Sequence, residues 1–247
     1  MPRNFRGIPV PSGRGGCQIG VLVCSWNYAH FLPEALDSIL TCDAPGFAEV
    51  LVVDDCSTDA TSEIAQSYGR VDLVRNTERR GIVWNLNTYL PTLSTEWVCM
   101  VSADDMVLPR FAAAHARAIS EHGHDPKLGI VFSGARYTKT HDPTDRPELD
   151  GLVVGLGAWD VDRLRGGNFI HGSAVLRKSA IVDVGGFPDV PIAEDHQMWL
   201  RMADAGFYGI GVGEVLLTYR MHSSGHRDAG TDGKRAAPGW RAPRAAA

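Results

Sequence analysis

The sequence predicts an α/β protein built on a Rossmann-like, mixed but mostly parallel sheet flanked by helices. Three observations carry that expectation. Apolar runs of strand length alternate with stretches of helical spacing from residue 19 to residue 122, which is the rhythm of βαβ units. Two of those runs end in paired acids, Leu51-Val52-Val53-Asp54-Asp55 and Val98-Cys99-Met100-Val101-Ser102-Ala103-Asp104-Asp105. The bulk composition, 44% hydrophobic and 21% charged over 247 residues, is that of a soluble globular chain long enough for one large α/β domain.

Residues 1–17, rich in Gly, Pro and Arg, read as a loose leader. Ile19 to Val23 form the first strand, followed by the polar turn Ser25-Trp26-Asn27-Tyr28. Pro33 opens a helix with Ala35, Leu36, Ile39 and Leu40 at helical spacing, since proline is tolerated in a first turn. Val50 to Val53 are the second strand, and Ser57, Thr58 and Asp59 offer caps for a helix through Ile64 to Tyr68. A strand at Val71 to Val74, a helix over 82–93 and a strand from Trp97 to Val101 complete the first half. After Pro109 come an Ala-rich helix to His122 and a strand from Gly129 to Ser133. The stretch 136–168 carries Asp142-Pro143, Arg146-Pro147 and several glycines, and reads as a long functional loop. A buried run at Ser173 to Leu176 is followed by a short helix stopped at Gly185-Gly186. A helix over 194–205 ends at Gly206, Val215 to Tyr219 form the last strand, and residues 224–247 read as a disordered tail.

A carboxylate at the rim of a buried strand has to be solvated, paired or placed on a metal. Open α/β sheets take their ligands at the carboxyl ends of their strands. Acids gathered there imply a divalent cation, Mg²⁺ or Mn²⁺, and an anionic ligand such as a nucleotide diphosphate. The blander reading makes Asp54 and Asp55 helix caps, but adjacent residues on an extended chain point to opposite sides. One acid can therefore cap while the other meets a ligand. Glu194-Asp195 read either as caps of their helix or as a source of a general base. His222, after the final strand, is either a structural hydrogen bonder or a ligand for an Mn²⁺-class ion. His222 and His226 are separated by Ser-Ser-Gly, which argues against a helical zinc pair.

Several classes are excluded or disfavoured. A net charge of −5 with no basic stripe argues against nucleic acid as a partner. Cys17, Cys24, Cys42, Cys56 and Cys99 lack the spacing of a zinc site or a disulfide framework. No apolar run approaches the roughly 20 residues of a membrane span, so the expected location is the cytoplasm, with peripheral membrane contact left open. The glycines of Gly209-Ile210-Gly211-Val212-Gly213 lack the surrounding βα turn of a dinucleotide fingerprint.

Taken together, Val21-Leu22-Val23-Cys24-Ser25-Trp26-Asn27-Tyr28, then Val52-Val53-Asp54-Asp55-Cys56-Ser57-Thr58-Asp59, then Ser102-Ala103-Asp104-Asp105, then Glu194-Asp195 resemble the family 2 glycosyltransferases of GT-A fold. The likeness runs in order from about 19 to 222. It implies one GT-A domain over 18–223, with a donor half over 18–108 and an acceptor half over 109–223. It also implies an inverting transferase that takes a nucleotide-diphosphate sugar, with a lean to uridine, and a small-molecule or glycan acceptor. By position, the resemblance puts Ser25, Trp26 and Asn27 at the donor nucleotide, Trp26 as the base-stacking aromatic. It gives Asp55 a hydrogen bond to the base and Arg79 or Arg80 the diphosphate. Asp104 matches the ribose or metal-proximal acid, Asp105 and His222 the metal ligands (which acid of the pair touches the metal varies with how the motif is read), His171 a segment near the donor sugar and acceptor, and Asp195 the catalytic base. Homodimers are plausible in this family, although no feature of this sequence demonstrates one.

Departures from the family pattern are visible. Ser102 stands where many members have an acid, and Trp84 where an arginine often precedes Asn85. Members acting on long glycans often carry further helices after the region of His222, whereas here a short polar tail follows, which favours transfer of one sugar. Two other readings compete: a sugar-nucleotide-binding protein without transfer, and a sugar-1-phosphate nucleotidyltransferase. The joint presence of Asp55, Asp105, Asp195 and His222 speaks against the first. The second expects a Gly-rich basic loop where Ser25-Trp26-Asn27-Tyr28 stands.

Overall fold

The computed structural model describes residues 18–139, 150–190 and 193–222. The leader, the Pro-containing part of the long loop at 140–149 and the tail lie outside the described residues. Four parallel strands make the N-terminal half of the sheet: β1 (Ile19–Ser25), β2 (Glu49–Asp54), β3 (Asp72–Arg75) and β4 (Trp97–Ser102), in the order β3-β2-β1-β4. The sheet continues from β4 through β8 (Val175–Arg177), β6 (Leu128–Lys139), β9 (Tyr208–Met221) and β5 (Met106–Val107), with β7 (Val153–Val154) pairing β6. β8 runs antiparallel to both β4 and β6, whereas β6 and β9 are parallel. The sheet is therefore mixed, with its parallel part where the acid-ended strands lie.

Alternation along β1 builds the two cores. Ile19, Val21 and Val23 face one way, into a cluster with α1 (Leu32–Leu40), α2 (Thr61–Ser67) and α4 (Phe111–His122). Leu22 faces the other way, into a cluster with α3 (Ile82–Tyr89), α5 (Val161–Gly166), α6 (Lys178–Asp183) and α7 (Glu194–Asp204). Successive side chains on a strand point to opposite faces, so a strand apolar at every position signals a sheet covered on both sides. α1 carries its proline in the first turn and buries Leu32, Ala35, Leu36 and Ile39. α3 is shorter than its periodicity suggests. Its last turn tightens to a 3₁₀ turn at Leu90–Thr92, because Pro91 has no N–H to continue the helical ladder.

The structure corrects two element expectations. β6 continues to Lys139, β7 pairs with it, and α5 follows with Asp160 capping the Arg163 N–H, so much of 136–168 is ordered secondary structure. The last strand begins at Tyr208 instead of Val215. Its glycines look like breakers in sequence, yet they admit close neighbours: the ring of Trp159 lies on Gly209, and the carbonyl of Gly157 and the ring of Phe132 lie on Gly211. The short strand β5 has no counterpart among the expected elements, because two residues carry no periodicity. No helix among the described residues is long and apolar enough to cross a membrane.

A methyl group at Gly211 would press into the Gly157 carbonyl oxygen and lie 3.1 Å from the Phe132 ring, so backbone has to move. Gly211→Ala is expected to cost about 1–3 kcal/mol and lower the melting temperature by several degrees in calorimetry. Gly69, with nothing near its Cβ position, should accept alanine with no such loss.

Candidate active site

Register aligns the strand ends. Ser25 pairs with Asp54, Asp54 with Arg75, and Cys24 with Ser102, so β1, β2, β3 and β4 finish at one rim. The loops that leave them carry most of the residues singled out above.

Asp54 is buried and structural. Its Oδ1 accepts the Ser57 N–H at 2.7 Å, its Oδ2 accepts the Ser62 hydroxyl, and Arg75 Nε lies 3.6 Å from it. The turn it anchors is clasped to the loop after β1 by Asn27. The Asn27 side chain accepts the Thr58 N–H at 2.9 Å, and its own N–H donates to Ser57 Oγ at 3.0 Å. Asn27 adopts φ +57°, a left-handed conformation that asparagine enters more readily than most residues. Ser25 is enclosed at the strand end, 3% exposed.

Asp55 faces the other way and gathers the loop after β3. Its Oδ1 accepts from Asn76 Nδ2 at 2.7 Å and from the Arg80 N–H at 2.8 Å, and its Oδ2 accepts the Gly81 N–H at 2.8 Å. Burial pushes its pKa up, but the hydrogen bonds from Arg80, Asn76, Gly81 and Asn85 outweigh that and hold it below the ordinary 3.8. Asn76 extends the network, donating to Asn85 Oδ1 and accepting from the Tyr89 hydroxyl, at 2.7 and 2.8 Å. The loop so held places the Arg79 guanidinium 3.4 Å above the Trp26 ring centroid. Arg80 turns outward to Glu78 at 2.6 Å and lies 5.0 Å from the Trp84 ring centroid.

The second acid pair occupies the turn between β4 and β5, and its two members meet different partners. Asp104 Oδ2 lies 3.0 Å from His222 Nε2. Asp105, fully buried, accepts the Arg220 N–H at 3.0 Å and has its Oδ2 3.7 Å from His171 Nε2. His171 Nδ1 accepts the Ser173 N–H at 3.2 Å, so a neutral His171 carries its proton on Nε2, toward Asp105. His222 stacks against Phe31 and meets Tyr28 edge-on, with ring centroids 4.5 and 5.6 Å away. Burial, then the charge of Asp104, push the Tyr28 phenol pKa well up.

Among the described residues no group of three or more His, Cys, Asp or Glu side chains is arranged to hold a metal ion. The pair Asp104 and His222 nevertheless suits one: adjacent ligands of an octahedral cation with bonds of about 2.1 Å stand about 3 Å apart. Mg²⁺-type ions commonly take one or two protein ligands and complete their shell with substrate phosphates and water.

Asp195 opens α7, just after Ala193 at φ +61°. Its Oδ2 accepts from Asn168 Nδ2 at 3.1 Å and its Oδ1 accepts the His196 N–H at 2.7 Å. The 171–173 segment lies beside it: a Cβ on Gly172 would be in van der Waals contact with Asp195, 3.5 Å from Oδ2. Burial, reinforced by Glu194, raises its pKa to about 6 against the lowering by His196 and Asn168. The segment His171-Gly172 thus touches Asp105 with one residue and Asp195 with the next.

Sequence reasoning missed Asn76, Asn85, Tyr89 and Asn168. Asn76 directly follows β3 and was open to the rule that flagged Asp54. Asn168, inside a glycine-rich stretch, gave no signal.

The half-parallel sheet continued by antiparallel strands, with its acids at one rim, has the GT-A fold of its glycosyltransferase structural neighbours. The model of Glycosyl transferase family 2 matches residues 20–185; the chain belongs to that family and is a glycosyltransferase. It is 26% identical over 221 residues to EpsE of Bacillus subtilis (strain 168), covering 84% of this chain and 74% of EpsE. Among solved structures, S. aureus TarS 1-349 in complex with UDP-GlcNAc superposes with a TM-score of 0.68 at 19% identity, covering 85% of this chain and 60% of TarS 1-349. The mannosyltransferase PcManGT of Pyrobaculum calidifontis, in complex with GDP-Man and Mn²⁺, gives 0.62 at 26% identity, covering 91% of this chain and 62% of PcManGT. The chain thus spans about 60% of the length of those two solved proteins.

Asp55→Asn sets an amide N–H against the N–H of Gly81 and is expected to cost about 1–3 kcal/mol in urea unfolding. A folded-state pKa below 3.8 means the carboxylate's contribution is fully present above pH 3.8. The difference between wild type and variant should therefore shrink as the pH falls through the lowered folded value.

Proposed function

We propose that this chain moves one sugar, with inversion, from a nucleotide-diphosphate sugar (UDP-linked) to a hydroxyl of a small-molecule or glycan acceptor. The observation that carries the reading is Asp195: one carboxylate, oriented by Asn168, with its pKa raised to about 6. A base poised near neutrality is ionised at working pH and still accepts a proton readily. In a single displacement Asp195 takes the acceptor hydroxyl proton as that oxygen bonds to the anomeric carbon. The bond from that carbon to the diphosphate breaks, and its electron pair leaves with the nucleoside diphosphate. One carboxylate suffices for such a step, whereas a retaining hydrolase needs a pair.

The remaining groups are assigned to the donor. Trp26 stacks on the nucleobase, and Asp55, which holds the Arg80 and Gly81 N–H groups, is assigned to the base edge. Arg79, standing on Trp26, and Arg80 serve the diphosphate, and His171 lies beside the donor sugar. Asp104 and His222 hold Mg²⁺ or Mn²⁺, whose charge neutralises the leaving diphosphate. Asp105, the acid matched by sequence to the metal, is then the one that fixes β9 and His171. The donors bound in TarS and PcManGT, and the Mn²⁺ in the latter, support a nucleotide sugar and a divalent cation here.

Asp195→Asn is expected to lower transfer by about 10²–10⁴-fold while nucleotide affinity stays near normal by calorimetry; turnover at the wild-type rate would remove Asp195 from the role. The wild-type rate should fall below a midpoint near pH 6, as the base protonates. Because the Asn168 bond lowers that pKa, Asn168→Ala should move the acid limb to higher pH. His222→Ala should weaken Mn²⁺ binding in the presence of UDP by at least about tenfold, the smallest effect usual for a group supporting a metal.

A further inference from the structure

Trp84, on the first turn of α3, is an aromatic that the donor assignment leaves unused. It is 41% exposed, in a chain where most large apolar side chains are buried. It stands in an open cleft of about 590 Å³ whose lining includes Arg80, Gly81, Thr88, Asp189 and Val190. The indole is held in place. The Tyr89 ring meets it edge-on with centroids 5.9 Å apart, and the Arg80 guanidinium lies 5.0 Å from its centroid. Tyr89 is itself tied through Asn76 to Asp55. Asp189 and Val190, which also line the cleft, follow Phe187, which Asn87 ties to α3 by donating to its carbonyl at 2.9 Å and accepting its N–H at 2.7 Å.

The chemistry of the cleft combines a fixed aromatic face with a hydroxyl and a carboxylate at its rim. An aliphatic ligand would leave Thr88 and Asp189 unmatched. A phosphate would face the like charge of Asp189. A pyranose fits the set: its C–H face carries the partial positive charge that an aromatic π cloud attracts, and its equatorial hydroxyls reach outward to polar groups. We propose that Trp84 is the stacking platform for a sugar ring of the acceptor, with Thr88 and Asp189 taking hydroxyls at the ring's edge. The acceptor is accordingly a glycan or glycoside. This deepens, and rests on, the reading of the chain as a transferase from a nucleotide sugar.

The test is saturation-transfer difference NMR on wild type, Trp84→Ala and Trp84→Phe. The probes are the methyl glycosides of glucose, galactose, mannose, rhamnose and N-acetylglucosamine. At least one glycoside should receive saturation at its ring C–H protons from the wild type. That signal should fall about fivefold in Trp84→Ala and be largely kept in Trp84→Phe, as expected when an aromatic face is removed or preserved. The platform is overturned if no glycoside receives saturation from the wild type, if Trp84→Ala matches it, or if Trp84→Phe loses as much as Trp84→Ala. Wild-type hydrolysis of UDP-glucose, UDP-N-acetylglucosamine and GDP-mannose with Mn²⁺ is followed in parallel. Hydrolysis without a Trp84-dependent glycoside signal sinks the platform alone, whereas a Trp84-dependent signal without any hydrolysis sinks the donor reading and leaves the platform standing.

Discussion

The hydrogen bonds that Asp55 accepts from Asn76, Arg80 and Gly81 bind β2 to the loop that leaves β3, and most of the nucleotide end of the rim follows from them. A loop of arginines and glycine has no apolar core to order it, and its charges favour spreading into solvent. A buried carboxylate reverses that preference by taking two successive backbone N–H groups, a geometry only a folded loop presents. With the loop fixed, Arg79 comes to rest on Trp26 and Arg80 beside Trp84. The asparagines and Tyr89 close the remaining polar valences, so the buried acid is satisfied from within.

The four acids at the strand ends look alike in sequence and divide in three dimensions. Asp54 keeps the turn after β2 in shape, and Asp55 keeps the loop after β3. Asp105 ties β4 to β9 through the Arg220 N–H, while Asp104 alone turns to His222. Asp195, proposed as the base, belongs to neither pair and reaches the rim from α7. Its environment runs opposite to that of Asp55: burial dominates at one carboxylate and hydrogen bonding at the other, which leaves them with pKa values on opposite sides of the ordinary value.

Much of the fold was legible because the interiors of β1, β2 and β4 are runs of consecutive apolar residues, which states their burial on both faces. The turns after β1 and β2 were legible for a similar reason, since Asn27 and Ser57-Thr58-Asp59 have few roles outside caps and turns. The extended β6 and β9 were not. Their glycines are there to admit Trp159, Gly157 and Phe132, a tertiary reason that local propensity reads as a break. At the site, residue types and order sufficed to nominate Asp104, Asp105, His222 and Asp195. Which acid of the pair meets the histidine depends on the turn between β4 and β5, and two residues of strand leave no trace in periodicity. Asn168 was silent because an asparagine among glycines is the usual composition of a loop.

The register of β1 against β2 and β4 has a consequence for how such a chain can vary. Ser25 and Asp54 end their strands level with one another, Ser102 ends level with Cys24, and each residue's side is set by a period of two. Inserting or deleting one residue within any of these strands would send its terminal side chain to the opposite face and exchange its two cores. The connections at the other end of the strands, 41–48 and 90–96, are free of that constraint, because a loop there changes length without changing parity. Variation in length should therefore accumulate at one end of the sheet and be nearly forbidden at the other, so the molecule carries a polarity of tolerance running along its strands.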